Sequence, residues 1–454
     1  MQSFDLIVIG SGSGLTVSSE AADLGLAVAV VEHGPFGGTC LNRGCIPSKM
    51  LIHSADVMET IRRADLFGIS AQVSGVDWDF IVRRVANTID ADAQAIEEAN
   101  RQHPNITVFK DTGRFVGRKA LEVGGKRITA ETIVIAAGTR PRVPDIDGLT
   151  DVPFVTSDEA LRLPKQPRRL AIVGGGYIAA ELAHFFGALG TEVTIVHRRP
   201  RLLRLEDDDV SALFTEVYQR RFTMLLNTVV RRAYRDGETI ALELASDGQQ
   251  RTLTTDALLL AVGRVPNTDL LDVAQTGVAV NDRGFIKVDE YLETDVPGIW
   301  ALGDIVGRYL LKHSADLEAA HVAQNILNSE NKMPVDYHAM PHAIFSSPQV
   351  ASVGLTERQA QEQGLPYVAG TYKYYDTAYG FSIEDKDGFA KVIAQRETGE
   401  ILGCHIIGSE ASILIQEVAN AVRMRLTTEA ISQAIYVHPA LPEVVQRAFH
   451  SLPI

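Results

Sequence analysis

Cysteine is nearly absent. The 454-residue chain has three, too few for a disulfide scaffold. Long apolar runs are missing as well: nothing approaches the roughly 20 residues that a membrane helix needs. The first apolar strand, Leu6 to Ile9, begins so near Met1 that a signal peptide has no room before it. These absences point to a cytoplasmic protein without a membrane partner. Positive charge is in deficit, 43 Lys and Arg against 57 Asp and Glu, a formal −14, which argues against nucleic acid or an anionic surface as partner. In a reducing compartment a cysteine pair is more often catalytic or metal-binding than structural. With no second pair and no histidine-rich tract, zinc is disfavoured and no metal is expected.

Glycine is plentiful and well placed. Five short apolar runs end in it: Leu6 to Gly10, Ile133 to Gly138, Leu170 to Gly174, Leu258 to Gly263 and Ile299 to Gly303. Buried parallel strands that turn sharply into a loop or helix read this way. The first and third are each followed by an alanine-rich helical stretch and a second apolar run, Ala27 to Val31 and Glu192 to Val196. The pattern predicts an α/β chain with two Rossmann-like dinucleotide-binding domains. Pro141, Pro144, Pro153, Pro164 and Pro167 mark a linker between them. Beyond about residue 335 alternating strands such as Ala351 to Gly354 and Phe389 to Ile393 introduce a third, α+β domain. The expected segments are 1–147 and 268–335 for the first nucleotide domain, 148–267 for the second and 336–454 for the last.

Gly10-Ser11-Gly12-Ser13-Gly14 after a strand, with Glu32 closing the next, fits a turn that brings backbone amides to a pyrophosphate while an acid meets ribose hydroxyls. Leu15 stands where G-x-G-x-x-G has its third glycine, so looser packing of helix on strand is expected there. A second turn, Gly174-Gly175-Gly176-Tyr177-Ile178-Ala179-Ala180-Glu181, follows the strand Leu170 to Val173. Where an acid would accept a ribose, this chain has His197, then Arg198, Arg199, Arg201 and Arg204. Guanidinium groups suit a 2′-phosphate, which selects NADPH. The alternative is a solvated basic turn neutralised by Glu206, Asp207, Asp208 and Asp209, and for Tyr177 plain packing at a helix start. Cys40 and Cys45 lie five positions apart before an expected helix, Pro47 to Val57, whose dipole favours a thiolate. Such a pair can close a disulfide. Cys404, in an apolar strand, reads as core. A thiolate leaving group needs an acid of near-neutral pKa, and of 12 histidines His438 is the one with a glutamate, Glu443, five positions later in a proline-bent segment.

The run Gly37-Gly38-Thr39-Cys40-Leu41-Asn42-Arg43-Gly44-Cys45-Ile46-Pro47-Ser48-Lys49 resembles the redox-active segment of the FAD-dependent pyridine nucleotide-disulfide oxidoreductases. Further markers follow in family order: Ala136-Ala137-Gly138-Thr139, Ala301-Leu302-Gly303-Asp304, Leu310-Leu311-Lys312-His313 and His438-Pro439-Ala440-Leu441-Pro442-Glu443. The resemblance implies FAD at Gly10, Gly12, Gly14, Glu32, Thr39, Lys49, Gly113, Ala137, Gly138, Thr139, Asp304, Leu310, Leu311 and His313. It implies NADPH at Gly174, Gly176, Tyr177, Ile178, Glu181, His197, Arg198, Arg204 and Gly263. Tyr177 would cover the nicotinamide pocket, and Glu181 would pair with Lys49 near the flavin. By resemblance Cys45 is the flavin-facing thiolate and Cys40 the interchange thiol. His438, oriented by Glu443, is the acid acting across a homodimer interface, so the active site is shared and the last domain is a dimerisation domain.

Within the family, Tyr309 to His313, Tyr379-Gly380-Phe381, Tyr436 to Val445 and the non-glycine Leu15 are similar to mycothione reductases. The expected activity is NADPH-driven reduction of a low-molecular-weight thiol disulfide through Cys40 and Cys45. Dihydrolipoamide dehydrogenase shares the cysteine segment and the dyad but prefers NAD, and is the alternative enzyme. A non-catalytic flavin redox sensor is the alternative of another class, with no need of His438 and Glu443.

Overall fold

The computed structural model describes residues 1–246 and 248–453, which divide into two units. The first comprises Met1–Met50, Asp79–Arg142 and Gly263–Tyr337. Its sheet runs in the order Ile106–Phe109, Val28–Val31, Gln2–Ile9, Lys126–Ile135, Ala120–Val123, Gly113–Gly117, with Ile299–Ala301 also paired to Lys126–Ile135. The four strands around Gln2–Ile9 and Ile299–Ala301 are parallel, and the Gly113–Gly117 end is an antiparallel meander. Side chains alternate across a strand. Thus Ile7, Ile9, Ala29, Val31, Ile133 and Ile135 fill the core on one face. Leu6, Val8, Val28, Val30 and Val134 meet Val17 and Ala21 of the helix Gly14–Asp23, and Ala319 and Val322 of Lys312–Leu327, on the other.

The second unit comprises Leu51–Trp78, Val143–Val262 and His338–Ile454. A parallel sheet is ordered Thr223–Leu225, Glu192–Val196, Arg169–Val173, Ala257–Leu260, beside an antiparallel ribbon Val229–Asp236, Thr239–Ser246, Gln249–Thr255. An antiparallel five-stranded sheet follows, in the order His342–Ile344, Gln349–Gly354, Ile401–Gly408, Phe389–Gln395, Tyr367–Lys373. The helices Ala411–Arg423 and Glu443–His450 pack on it through Leu414, Val418, Val444 and Ala448. Cys404 is fully buried in this core.

The units divide at 50/51, 78/79, 142/143, 262/263 and 337/338. The short strand Arg264–Pro266 pairs with Thr139–Pro141 and so belongs with the first nucleotide fold. Among the described residues no helix is long and apolar enough to cross a membrane, and no group of three or more His, Cys, Asp or Glu is placed to hold a metal.

A buried ionic cluster stiffens the second unit. Glu206 accepts from His342 at 2.8 Å and Ser352 at 2.8 Å. Asp207 accepts from Lys391 Nζ at 2.9 Å and from the Glu357 amide at 3.0 Å. Burial alone would push both carboxyls up, but these partners outweigh it and hold them below their ordinary values. The folded state therefore binds fewer protons than the unfolded one in acid. The carboxylate share of this stabilisation drains away as pH falls through the folded values, while the share of His342, whose pKa, against burial, the Glu206 bond raises, is lost as pH rises through its own folded value. Lys391→Met leaves Asp207 buried without its cation, and should cost about 3 kcal/mol, read as a lower urea midpoint with an unchanged m-value.

Candidate active site

The first glycine turn is dictated by contacts no side chain tolerates. Gly10 has φ +107°, and a Cβ there would lie 2.3 Å from the Ala136 carbonyl oxygen. Gly14 opens the helix Gly14–Asp23, where a Cβ would sit 2.9 Å from both Val8 Cγ1 and Ala136 Cβ. This corrects the expectation drawn from Leu15. The close approach of helix to strand is made one residue earlier, and Leu15 instead packs at the edge of the core. Gly10→Ala should lower stability by about 3 kcal/mol or more and strip the flavin, seen as a lower Tm and lost yellow absorbance.

Glu32 is buried, and its carboxylate is held by the Ser11 amide at 2.9 Å, Ser11 Oγ at 2.8 Å and the Gly34 amide at 2.7 Å. Burial raises its pKa, but His33 and these donors bring the net value below the usual range. Ser11 escaped the sequence reading although it stands inside the motif. Across the same unit Thr139 Oγ1 donates to Asp304 Oδ2 at 2.8 Å and accepts from Arg264 Nε at 2.8 Å. Arg264 is a second residue the motifs did not signal. Burial raises the Asp304 pKa. Asn267 Nδ2 donates to the Ala137 carbonyl at 2.7 Å. Leu310 and Leu311 are half-buried just before the helix Lys312–Leu327, and His313 is exposed on its first turn. Gly113 is buried at the start of its strand, its Cβ position 3.0 Å from Val31 Cγ1.

The redox segment is pressed against this turn. Gly38 has φ +65°, and a Cβ on it would lie 2.6 Å from Gly12 Cα. Thr39 and Cys40 ride on a short helix, Gly38–Arg43, which Gly44 ends at φ −145°, ψ −114°. Cys45 then begins a separate helix, Cys45–Arg62. The expected helix Pro47 to Val57 is thus extended at both ends, since a proline in the first turn forfeits no intrahelical bond. Asn42 Nδ2, donating to the carbonyls of Phe36 at 2.8 Å and Gly38 at 3.0 Å, ties the segment down. Each is present as a thiol, Cys40 half-buried and Cys45 exposed. A hydrogen bond to Cys45, then burial, pushes the Cys40 thiol well above its ordinary value, against the pull of Lys312. Lys312 is bonded to Asp316 and, at 3.2 Å, to Ser13 Oγ, which also donates to Asp316 at 2.8 Å. Lys49 is half-buried on the Cys45 helix, 3.4 Å from Ser48 Oγ.

The second turn follows the same logic. At Gly174, φ is +142° and a Cβ would lie 2.2 Å from the Ala261 carbonyl oxygen. At Gly175 a Cβ would lie 2.7 Å from the His197 ring, so that imidazole roofs the turn. Gly176 caps the helix Tyr177–Ala188. Tyr177 opens this helix and is 44% exposed. Ile178 is half-buried. Glu181 is buried and accepts from the Phe345 amide at 2.9 Å. Burial, then the charges of Arg198, Arg199 and Arg204, lower the His197 pKa. These three arginines are exposed and, among the described residues, make no ion pair. The acids beside them are committed elsewhere: Glu206 and Asp207 as above, Asp208 to Arg358 at 2.8 Å and Asp209 to Lys391 at 2.6 Å.

Gly138, Gly176 and Gly263 each face space with no atom within 4 Å of a Cβ position. Open space beside amide-rich turns suits two bound dinucleotides. In the last domain His438 Nδ1 lies 3.0 Å from Glu443 Oε1, whose other oxygen accepts from the Ala440 amide at 3.1 Å. Burial raises the Glu443 pKa, but His438 and that amide leave it below its ordinary value. The His438 side chain is 70% exposed.

Residues 4–326 match the pyridine nucleotide-disulphide oxidoreductase family and 340–449 its dimerisation domain. The chain is 42% identical over its full length, and that of the relative, to mycothione reductase of Mycobacterium tuberculosis. It is 34% identical to dihydrolipoyl dehydrogenase of Chlamydia muridarum, over 98% of this chain and 95% of that one. The HOCl-induced flavoprotein disulfide reductase RclA of Escherichia coli superposes with a TM-score of 0.88 at 29% identity, covering 98% and 99% of the two chains. The chain belongs to the pyridine nucleotide-disulphide oxidoreductases, dimeric enzymes that use FAD and NAD(P)H.

Proposed function

We propose that this enzyme uses NADPH to reduce a low-molecular-weight thiol disulfide of the mycothiol disulfide type. The observation that carries the cofactor choice is the uncompensated group Arg198, Arg199 and Arg204 beside the second glycine turn, with its neighbouring acids engaged elsewhere. The full-length similarity to mycothione reductase supports the substrate class. In this reading 1–147 and 268–335 hold FAD, 148–267 hold NADPH and 336–454 pair the subunits in the cytoplasm.

The residues divide the work as follows. Gly10, Gly12, Gly14, Glu32, Thr39, Gly113, Ala137, Gly138, Thr139, Asp304, Leu310, Leu311 and His313 hold FAD. Gly174, Gly176, Ile178, His197, Arg198, Arg204 and Gly263 hold NADPH, under Tyr177 as a cover, and Lys49 pairs with Glu181. When bound, FAD supplies the electron pair, drawn from NADPH, that reopens the Cys40–Cys45 disulfide. Cys40 then hands its proton to the acid–base imidazole and, as thiolate, attacks one sulfur of the substrate. The substrate S–S bond breaks, and the departing sulfur takes a proton from the partner subunit, whose imidazole is the one numbered His438 here and kept in orientation by Glu443. Cys45 as thiolate attacks the Cys40 sulfur of the mixed disulfide, the second thiolate leaves and takes a proton from solvent, and Cys40–Cys45 closes. Two electrons and two protons thereby convert one disulfide into two thiols.

The test is a comparison of kcat/KM for mycothiol disulfide, oxidised glutathione and lipoamide with each reduced nucleotide. A dominant value for mycothiol disulfide with NADPH supports the reading. A preference for lipoamide with NAD(H) would replace it by the dihydrolipoamide dehydrogenase reaction, and absence of multiple turnovers with any disulfide would leave a redox sensor.

A further inference from the structure

The segment that carries His438 is fastened at a second point that the reaction scheme leaves unused. Tyr436, two residues before His438, donates its hydroxyl to Glu417 Oε2 at 3.1 Å. Glu417 projects from the helix Ala411–Arg423, and Tyr436 packs on the core of which that helix forms a wall. Within one subunit neighbouring residues on the segment have little to hold them: Ile435 is fully exposed and Val437 is 76% exposed. Glu443 fixes the imidazole from one side; the Tyr436 bond fixes the backbone leading into it from the other.

Glu417 is an unusual anchor. Its second oxygen, Oε1, is buried without a hydrogen-bond partner among the described residues. The titratable groups that act on this carboxyl and its partner are Tyr436 on the segment and the buried Cys404 on the strand Ile401–Gly408. Neither is a cation. We infer that Glu417 is a positioning residue for disulfide reduction, acting through Tyr436 to set where His438 presents its proton. The inference rests on the reading of His438 as the acid. Burial pushes the Glu417 carboxyl up to about 7, against the Tyr436 bond, so the anchor changes charge near neutral pH.

The experiment uses full-length holoenzyme reduced anaerobically with NADPH, then mixed with either hydroxyethyl disulfide or dithiobis-nitrobenzoate. The alkyl thiolate needs a proton to leave; the nitrobenzoate thiolate is stable without one. Tyr436→Phe should slow reoxidation by hydroxyethyl disulfide about tenfold, while reoxidation by the nitrobenzoate disulfide and reduction by NADPH stay within about twofold. Glu417→Gln keeps an acceptor for Tyr436, so it should retain the hydroxyethyl rate near pH 6 but lose the part of the wild-type change between about pH 6 and pH 8 that Glu417 contributes. His438→Gln is the reference. Equal slowing with both disulfides in Tyr436→Phe, no slowing with either, or a wild-type pH profile in Glu417→Gln overturns the positioning role. If His438→Gln itself reoxidises normally with hydroxyethyl disulfide, the acid assignment fails and this inference with it.

Discussion

Cys40→Ser should abolish turnover of any disulfide, by a thousandfold or more on the order-of-magnitude scale of lost nucleophiles, while leaving reduction of the enzyme by NADPH intact. The expectation follows from the placement of the thiols on separate helices. Cys45 opens its own helix and should keep its position when Cys40 is altered, whereas Cys40 sits inside Gly38–Arg43 and feels the charges of Lys312 and Asp316. Cys45→Ser gives the complementary result. Cys40 can then attack once but cannot be released, so substrate thiol accumulates on the protein as one covalent equivalent, visible by mass spectrometry. Retained steady-state turnover in Cys40→Ser, or an adduct on the wrong cysteine, would reverse the assigned roles.

Replacing Arg198 and Arg204 together with alanine should lower kcat/KM for NADPH about a hundredfold and that for NADH no more than about threefold. A hydrogen bond to a charged partner contributes about 1.5–3 kcal/mol, and exposure of both side chains favours the lower end. Two such losses amount to about 3 kcal/mol, or a factor near a hundred. Salt makes a second readout, because exposed charges are screened over about 8 Å at physiological ionic strength. The preference for NADPH in wild type should shrink as salt rises, and the double variant should be nearly insensitive. Equal losses with both nucleotides would place the arginines in folding rather than selection.

The elements that were legible in the sequence are those where one residue type solves one local problem. Parallel strands ending in glycine, the turns at Gly10 and Gly174 and the His438–Glu443 spacing all encode a requirement within a few positions. The remainder depends on partners far away in the chain. Ser11 meets Glu32 after 21 residues, Arg264 meets Thr139 after 125, and Lys391 meets Asp207 after 184, and nothing local marks the pairing. Leu15 misled because a motif records spacing, while packing depends on which Cα faces Ala136; here that is Gly14. The acids Glu206 to Asp209 adjoin the arginines in sequence, yet the strand Phe389–Gln395 and its neighbours draw them away.

The contact of Gly38 with Gly12 changes how damage to this enzyme should be diagnosed. Gly38 stands two residues before Cys40 and looks like part of the thiol motif, but mechanically it is the lid of the first nucleotide turn, with no room for even a methyl group against Gly12 Cα. Oxidative or mutational injury to the thiols leaves a coloured, folded protein that has lost its chemistry. A substituted Gly38 would leave a colourless one with intact thiols, so two lesions two residues apart would be told apart by eye.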